Sequence, residues 1–248
     1  MELTIIGSNS RGNAYVLQNA NEALIIEAGC SEHSILKALG FNTAKVAACV
    51  VSHEHLDHAK YVHKLQNYGI RCYMSAGTAS KCDEVKYSPE LIKAGEQFHA
   101  GRFCILPFDT HHDAAEPLGF LIHHPEIGTM LFAVDTCYLS NTFDGLNNVM
   151  IECNYSDDIL ERNIKSGLVH PIVQKHVLTG HMSLQTCIQA LQANDLSAVN
   201  NIILLHLSSE NSDAVRFKRE VELATGKNVL VAKKGMTINF GKTPWIKH

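Results

Sequence analysis

Short apolar runs rich in β-branched residues recur along this chain, and several of them end in histidine or acid. They are "LTIIGS", "AYVLQN", "EALIIEAG", "AACVVS", "RCYMSA", "FCILPFDT", "LGFLIHH", "TMLFAVDT", "NVMIECN", "NIILLHLS" and "NVLVAKK". Runs of this length, punctuated by Gly, Asn and polar clusters, read as strands. Helical patterns fall between them: "SEHSILKALG", "DHAKYVHKLQNYG", "SDDILERNIKSG", "SLQTCIQALQAN" and "SDAVRFKREVELATG". The first has a Ser start and a Gly stop, and the second opens on Asp57, which can cap it. The early runs follow one another as a meander, whereas the later ones alternate with helices. That mixture predicts two sheets packed face to face with helices outside, and fits a plain doubly wound sheet less well.

The chain has 248 residues, 46% of them hydrophobic, which suits a single domain over residues 1–248. Its formal charge of −4 gives no global basic field of the kind that announces nucleic acid, so any such partner would need a local basic stripe. The cysteines (Cys30, Cys49, Cys72, Cys82, Cys104, Cys137, Cys153, Cys187) are scattered without a CxxC pair and read as reduced core residues of a cytoplasmic protein. The start "MELTIIGSNSRGN" lacks the basic and apolar regions of a signal peptide. No apolar run approaches the roughly 18 residues of a membrane span, so no membrane partner is expected.

The stretch "VVSHEHLDHA" carries most of the chemistry. His53 and His55 lie two apart just past a buried strand, and in extended chain such residues point the same way. Both imidazoles can reach one ion. Asp57 and His58 follow at the start of the next helix and face a point displaced from the first, near a second ion. A carboxylate beside imidazoles suits zinc, and also manganese or iron. Further donors should stand at other strand ends, where the loops of a layered sheet converge. His111 and His112 end one run, Asp135 another and His206 a third. An aspartate is the natural bridge, because its two oxygens can each take one ion. His33, His63, His99, His123, His124, His170, His176 and His248 lack such neighbours and read as structural or surface residues.

This ordered set, HxHxDH then His, Asp and His at strand ends, resembles the metallo-β-lactamase superfamily over nearly the whole chain. Within it, "GSNSRGNAYVL", "HDAAEPLGF", "IECNYSDDIL", "GHMSLQ" and "LLHLSSEN" resemble the small YycJ-type (WalJ-type) branch, whose members are nuclease-like. The resemblance implies a four-layer αββα sandwich with a dinuclear site at one edge, and 248 residues leave no room for a β-CASP insertion. It implies that His53, His55 and His112 hold one metal, that Asp57, His58 and His206 hold the other, and that Asp135 bridges. It makes His181 the catalytic histidine near the leaving group, with Glu152 supporting it and Asp57 belonging to the catalytic set. This sequence departs from the branch at three places. Glu27 stands where the superfamily usually has Asp, Leu184 where the branch usually has Asn, and Arg11 where a small residue is common. Arg11 reads either as a phosphate contact or as a solvated turn residue.

The expected activity is hydrolysis by two divalent transition-metal ions. Such ions lower the pKa of a shared water, and the bridging hydroxide attacks the electrophile. Nucleic acid, DNA attacked from an end, is the expected substrate on the ground of the resemblance. "VRFKRE", with Lys60, Lys64, Arg71, Lys81 and Lys86, offers cations for it. The alternatives are a small-molecule hydrolase for a cyclic phosphodiester, lactone or thioester, and a metal-bound interaction module without turnover.

Overall fold

The computed structural model describes residues 1–82 and 87–243. Two seven-stranded sheets face each other. The first holds β1 (Glu2–Gly7), β2 (Ala14–Gln18), β3 (Ala23–Ile26), β4 (Val46–Val50), β5 (Cys72–Met74) and β6 (Glu90–Leu91). The second holds β7 (Phe98–Ala100), β8 (Phe103–Asp109), β9 (Leu118–His124), β10 (Gly128–Ala133), β11 (Leu146–Glu152), β12 (Asn201–Leu205) and β13 (Asn228–Val231). A last strand, β14 (Thr237–Asn239), returns to the outer edge of the first sheet beside β1. The helices are α1 (Glu32–Ala38), α2 (Leu56–Ala59), α3 (Val62–Gln66), α4 (Ala76–Lys81), α5 (Asp157–Lys165), α6 (Pro171–Gly180), α7 (Leu184–Gln192) and α8 (Ala214–Thr225).

The period-two alternation of the strands sorts their side chains into layers. On β3, Leu24 and Ile26 point into the core between the sheets, while Ala23 and Ile25 face the layer of Ile35, Leu36, Val62 and Leu65 from α1 and α3. On β12, Ile203 and Leu205 join the central core, and Ile202 and Leu204 meet Cys187 and Leu191 of α7 and Phe217 and Val221 of α8. Strands buried on both faces explain the near-continuous apolar runs in the sequence. The result is the αββα sandwich that the sequence led us to expect. The meander is present too, since β1, β2 and β3 pair antiparallel in order.

Strand direction places the site. In the first sheet β3 and β4 are parallel, and β1 runs the same way. In the second sheet β10, β11 and β12 are parallel, and β8 shares their direction through antiparallel β9. The carboxyl ends of these strands meet at one edge of the sandwich, and the loops leaving them carry the polar residues singled out above.

One expected helix is broken for a physical reason. The pattern "DHAKYVHKLQNYG" forms two short helices, α2 and α3, rather than one. The Asp57 carbonyl accepts from Asn13 N–H at 2.7 Å and the His58 carbonyl accepts from Ala28 N–H at 2.7 Å. The Tyr61 N–H in turn donates to Ala28 O at 2.8 Å. Backbone groups that would have continued the helix are thus bonded to the first sheet's loops. Asp57 is not its cap either: α2 starts after His55, and the Asp57 side chain turns into the site.

Candidate metal centre

The structure brings His53, His55, His112 and Asp135 into one cluster and Asp57, His58, Asp135 and His206 into a second, with the donor atoms of each within 4.8 Å of one another. Asp135 is common to both. In the first, His55 Nδ1 lies 3.1 Å from both His53 Nε2 and His112 Nε2. Asp135 Oδ2 is 3.6 Å from His53 and 3.8 Å from His112. In the second, His58 Nε2 is 3.0 Å from Asp135 Oδ2 and 3.4 Å from Asp57 Oδ2, and His206 Nε2 is 3.6 Å from Asp57 Oδ2. Ligands held about 2.0–2.1 Å from a tetrahedral ion stand about 3.3 Å apart, so both clusters have the right scale. Of the two histidines that end β8, His112 turns inward. His111 turns away, stacks on Tyr138 with ring centroids 4.0 Å apart, and meets Ser140.

The electrostatics divide the clusters. Burial, with His58 beside it, pulls His53 well below the usual histidine range, and burial also lowers His112. The shift favours the neutral form of both rings, the form that ligates a metal. The second cluster is dominated by acid. Burial opposes protonation of His58 and His206, yet Asp135 and the other carboxylates hold His58 well above its ordinary range and push His206 up to about 10. Burial by itself would raise Asp135 and Asp57, but the facing histidines hold both carboxyls well below the usual range. A cation held by these side chains would compete with protons for the imidazoles. Three buried atoms of the donor residues, His58 Nδ1, Asp135 Oδ1 and His206 Nε2, find no hydrogen-bond partner within the protein. Buried polar atoms are seldom left so. The imidazole-and-carboxylate donor set and these orphaned atoms together fit divalent metal ions.

Beside the second cluster lies a third grouping of Asp135, Glu152, His181 and His206. His181 Nδ1 is 2.7 Å from Glu152 Oε1. Glu152, fully buried at the end of β11, also accepts the N–H groups of Thr136 at 2.9 Å and Met182 at 3.2 Å through Oε2. His181 follows α6 and is partly open to solvent, and Ser183 caps α7. Burial works against the His181 cation, but Glu152 raises its pKa.

Residues 8–70 match the metallo-beta-lactamase superfamily. The chain is 26% identical over 226 residues to the exodeoxyribonuclease WalJ of Streptococcus pneumoniae serotype 2, covering 84% of this chain and 82% of WalJ. It is 23% identical over 227 residues to the exodeoxyribonuclease YycJ of Bacillus anthracis, covering 86% and 84% of the two. The fold superposes on the metallo-beta-lactamase fold protein YhfI of Bacillus subtilis with a TM-score of 0.73 at 18% identity, over 96% of this chain and 98% of that one.

The chain has the metallo-beta-lactamase fold.

The departures from the superfamily's pattern take physical form. Glu27 reaches the Ser52 N–H at 3.2 Å and faces His58 Nδ1 at 3.3 Å, so the longer acid still supports the histidine loop. Burial raises its pKa against the pull of His58 and Ser52. Leu184 is a core residue of α7, packed with Met182, Cys187 and Leu191, and offers no contact to a substrate. The "VRFKRE" stretch forms part of α8, where Arg216 is paired with Asp158 and Glu220, and Lys218 with Glu222. Those cations are neutralised locally. Lys86 and His248 lie outside the described residues. His124 is buried and bonded to Glu22, and His123 to Thr129, as structural histidines.

Sequence reading missed the residues that orient the donors. Asn13 Nδ2 lies 2.9 Å from His58 Nε2 and 3.4 Å from Asp57 Oδ2. Asn154 Nδ2 donates to the His206 carbonyl at 2.8 Å. Ser52 Oγ and Gly180 O bond Nδ1 of His53 and His112, each at 2.8 Å, which fixes the ring so that Nε2 faces the cluster. The one signal for the asparagines was their position just past a turn or a strand end. Three site residues also adopt left-handed backbone: Glu27 at φ 66°, Asp135 at φ 47° and His206 at φ 52°. Non-glycine residues rarely do so, and the sharp turn after each strand aims the side chain across the sandwich edge.

Proposed function

We propose that this single-domain protein is a dinuclear metal-dependent hydrolase that cleaves phosphodiester bonds in DNA from an end. The observation that carries this reading is the His181–Glu152 pair, set against two donor clusters that share Asp135. On this reading His53, His55 and His112 hold one ion, Asp57, His58 and His206 hold the other, and Asp135 touches both. Zinc or manganese suits the donors. When bound, the ions supply Lewis acidity, bringing the pKa of water toward about 7 and offsetting charge on phosphoryl oxygens.

The chain's own residues supply the rest. Glu152 is held by two backbone N–H groups and accepts from His181 Nδ1, which leaves His181 Nε2 as the ring nitrogen available to a substrate on this reading. Its carboxylate stabilises the imidazolium form, so that Nε2–H can protonate the departing oxygen. Asp57 and Asp135 keep the pocket negative and therefore selective for cations. Penicillin turnover is not expected, because both curated relatives are named for action on DNA. The exodeoxyribonuclease activity named for the two curated relatives supports DNA as the substrate.

The test is a panel of labelled single-stranded and end-containing DNA and RNA oligonucleotides with manganese or zinc, run beside a β-lactam. Metal-dependent DNA cleavage that weakens with rising salt is expected, because phosphate contacts release counterions. No cleavage of any nucleic acid, with rapid turnover of a lactone or cyclic nucleotide, would transfer the assignment to small-molecule hydrolysis.

A further inference from the structure

A cavity of about 170 Å³ opens on the flank of the metal centre, and Arg11, Lys60 and Lys234 line it together with Ser31, Ser34 and Tyr61. No acidic side chain is among its described lining residues. The three cations come from different segments, and fixed backbone contacts bring them together. Strand β14 pairs with β1 so that Thr4 faces Thr237, and the Gly235 N–H donates to Ile5 O at 2.8 Å. This puts Lys234 at the carboxyl end of β1, next to the turn that carries Arg11. The Tyr61 N–H to Ala28 O bond draws Lys60 against Gly29 and Cys30. The bonds from Asn13 and Ala28 to the Asp57 and His58 carbonyls join the same loops to the metal donors. Cavity and metal centre are therefore held at a fixed separation.

Unlike Arg216 and Lys218 on α8, these cations have no acid across from them in the cavity. Like charges gathered at one site repel unless an anion joins them. Ser31 and Ser34 add hydroxyl groups, which meet at 2.8 Å. The matching ligand is compact, tetrahedral and doubly charged. A phosphate monoester carries about −1.5 to −2 charges and three acceptor oxygens. A phosphate inside a strand carries a single charge.

We propose that this cavity binds the terminal phosphate of the strand whose backbone enters the metal centre; the inference rests on the nuclease reading above. The anchored end then fixes how far along the strand the cut falls. Arg11 is a substrate contact, the first of the two roles the sequence allowed it.

The experiment uses metal-loaded protein and one single-stranded DNA sequence carrying a 5′-phosphate, a 3′-phosphate or hydroxyls at both ends. Cleavage is followed in the wild type, in an Arg11→Ala/Lys234→Ala double variant and in Lys218→Ala, which removes a positive charge from α8. Binding of the same strands is measured separately on a His181→Ala background, where turnover is slow. One phosphate-bearing end is expected to bind and react at least about ten-fold better than hydroxyl ends, the scale of one or two charge-assisted hydrogen bonds. The double variant should lose that ratio while keeping wild-type metal content, and Lys218→Ala should keep it. A wild type that cuts all three strands equally, or a ratio that survives in the double variant, overturns the cavity assignment and leaves the nuclease reading standing. An equal loss of binding for hydroxyl-ended strands in the double variant assigns the cavity to an internal phosphate and overturns the terminal one. If no strand is cut, the nuclease reading falls; the end preference in binding, and its loss in the double variant, still decides whether the cavity is a phosphate site.

Discussion

The loop after β4 of the first sheet gathers four donor side chains, His53, His55, Asp57 and His58, whereas the second sheet contributes His112, Asp135 and His206 singly after three different strands, β8, β10 and β12. Asp135 and His206 need left-handed backbone to reach the site, while no residue from His53 to His58 does. The loop instead is held from outside, by Asn13, Ala28, Ser52 and Glu27. A metal centre can thus be assembled by two physical routes. One is local spacing on a braced loop. The other is a sharp turn at the end of a buried strand, open mainly to residue types such as Asp and His that tolerate positive φ.

The comparison can be broken at its shared point. Asp135→Asn keeps the shape of the residue and its tolerance of the left-handed turn, but removes the charge common to both clusters. Bound metal should fall at both positions, and activity should drop on the order of 10⁴-fold or more, since metal Lewis acidity is worth several kcal/mol of charge stabilisation. Elemental analysis and turnover together check this. A variant that keeps two ions and full activity would remove Asp135 from the bridge.

The next largest effect separates the dyad from the clusters. His181→Ala should retain wild-type metal content and lose about 10²–10⁴-fold in turnover, the usual worth of a general acid. Loss of a metal from this variant would make His181 a ligand.

A smaller effect tests the bracing of the loop. A Cβ on Gly29 would run into the Asp57 carbonyl. Gly29→Ala must therefore displace the turn that presents Asp57 and His58. Such overpacking typically costs about 1–3 kcal/mol, read as a lower denaturant midpoint. Weakened metal affinity should accompany it. A variant as stable as wild type would show that the loop is free to move.

The smallest effect concerns α8. Arg216→Ala removes exposed ion pairs with Asp158 and Glu220, and should cost less than about 1 kcal/mol of stability. The salt dependence of DNA binding should not change. A shallower salt slope would return this helix to the nucleic-acid surface.

The same contrast explains what the sequence disclosed. The layered fold was legible because β3, β4, β10, β11 and β12 are buried on both faces and so appear as uninterrupted apolar runs. His53, His55, Asp57 and His58 were legible because all of them lie close together in sequence, on the segment that leaves β4 and enters the first turn of α2. Asp135 and His206 were visible as polar residues ending apolar runs, although nothing in the sequence announced their backbone turn. Asn13 and Asn154 were not legible as supports, because an asparagine past a turn serves many local roles and its partners are distant in sequence. The break between α2 and α3 was hidden for a related reason, since the competing hydrogen bonds come from Asn13 and Ala28. Helix α6 escaped notice because its apolar residues Val173 and Leu178 are exposed and give no clean amphipathic stripe.

The division of donors between the sheets also bears on how the protein is made. His53 belongs to the first sheet's loops, and His206 follows the last parallel strand but one of the second. The ribosome must therefore release more than four-fifths of the chain before the final donor emerges. Until then the four early donors are exposed on a loop whose bracing partners in the first sheet have already been synthesised. A product that stops short of residue 206 lacks a donor of the second cluster and has no complete centre. Truncated chains should therefore be inert, so that accidental early termination releases no unregulated hydrolase.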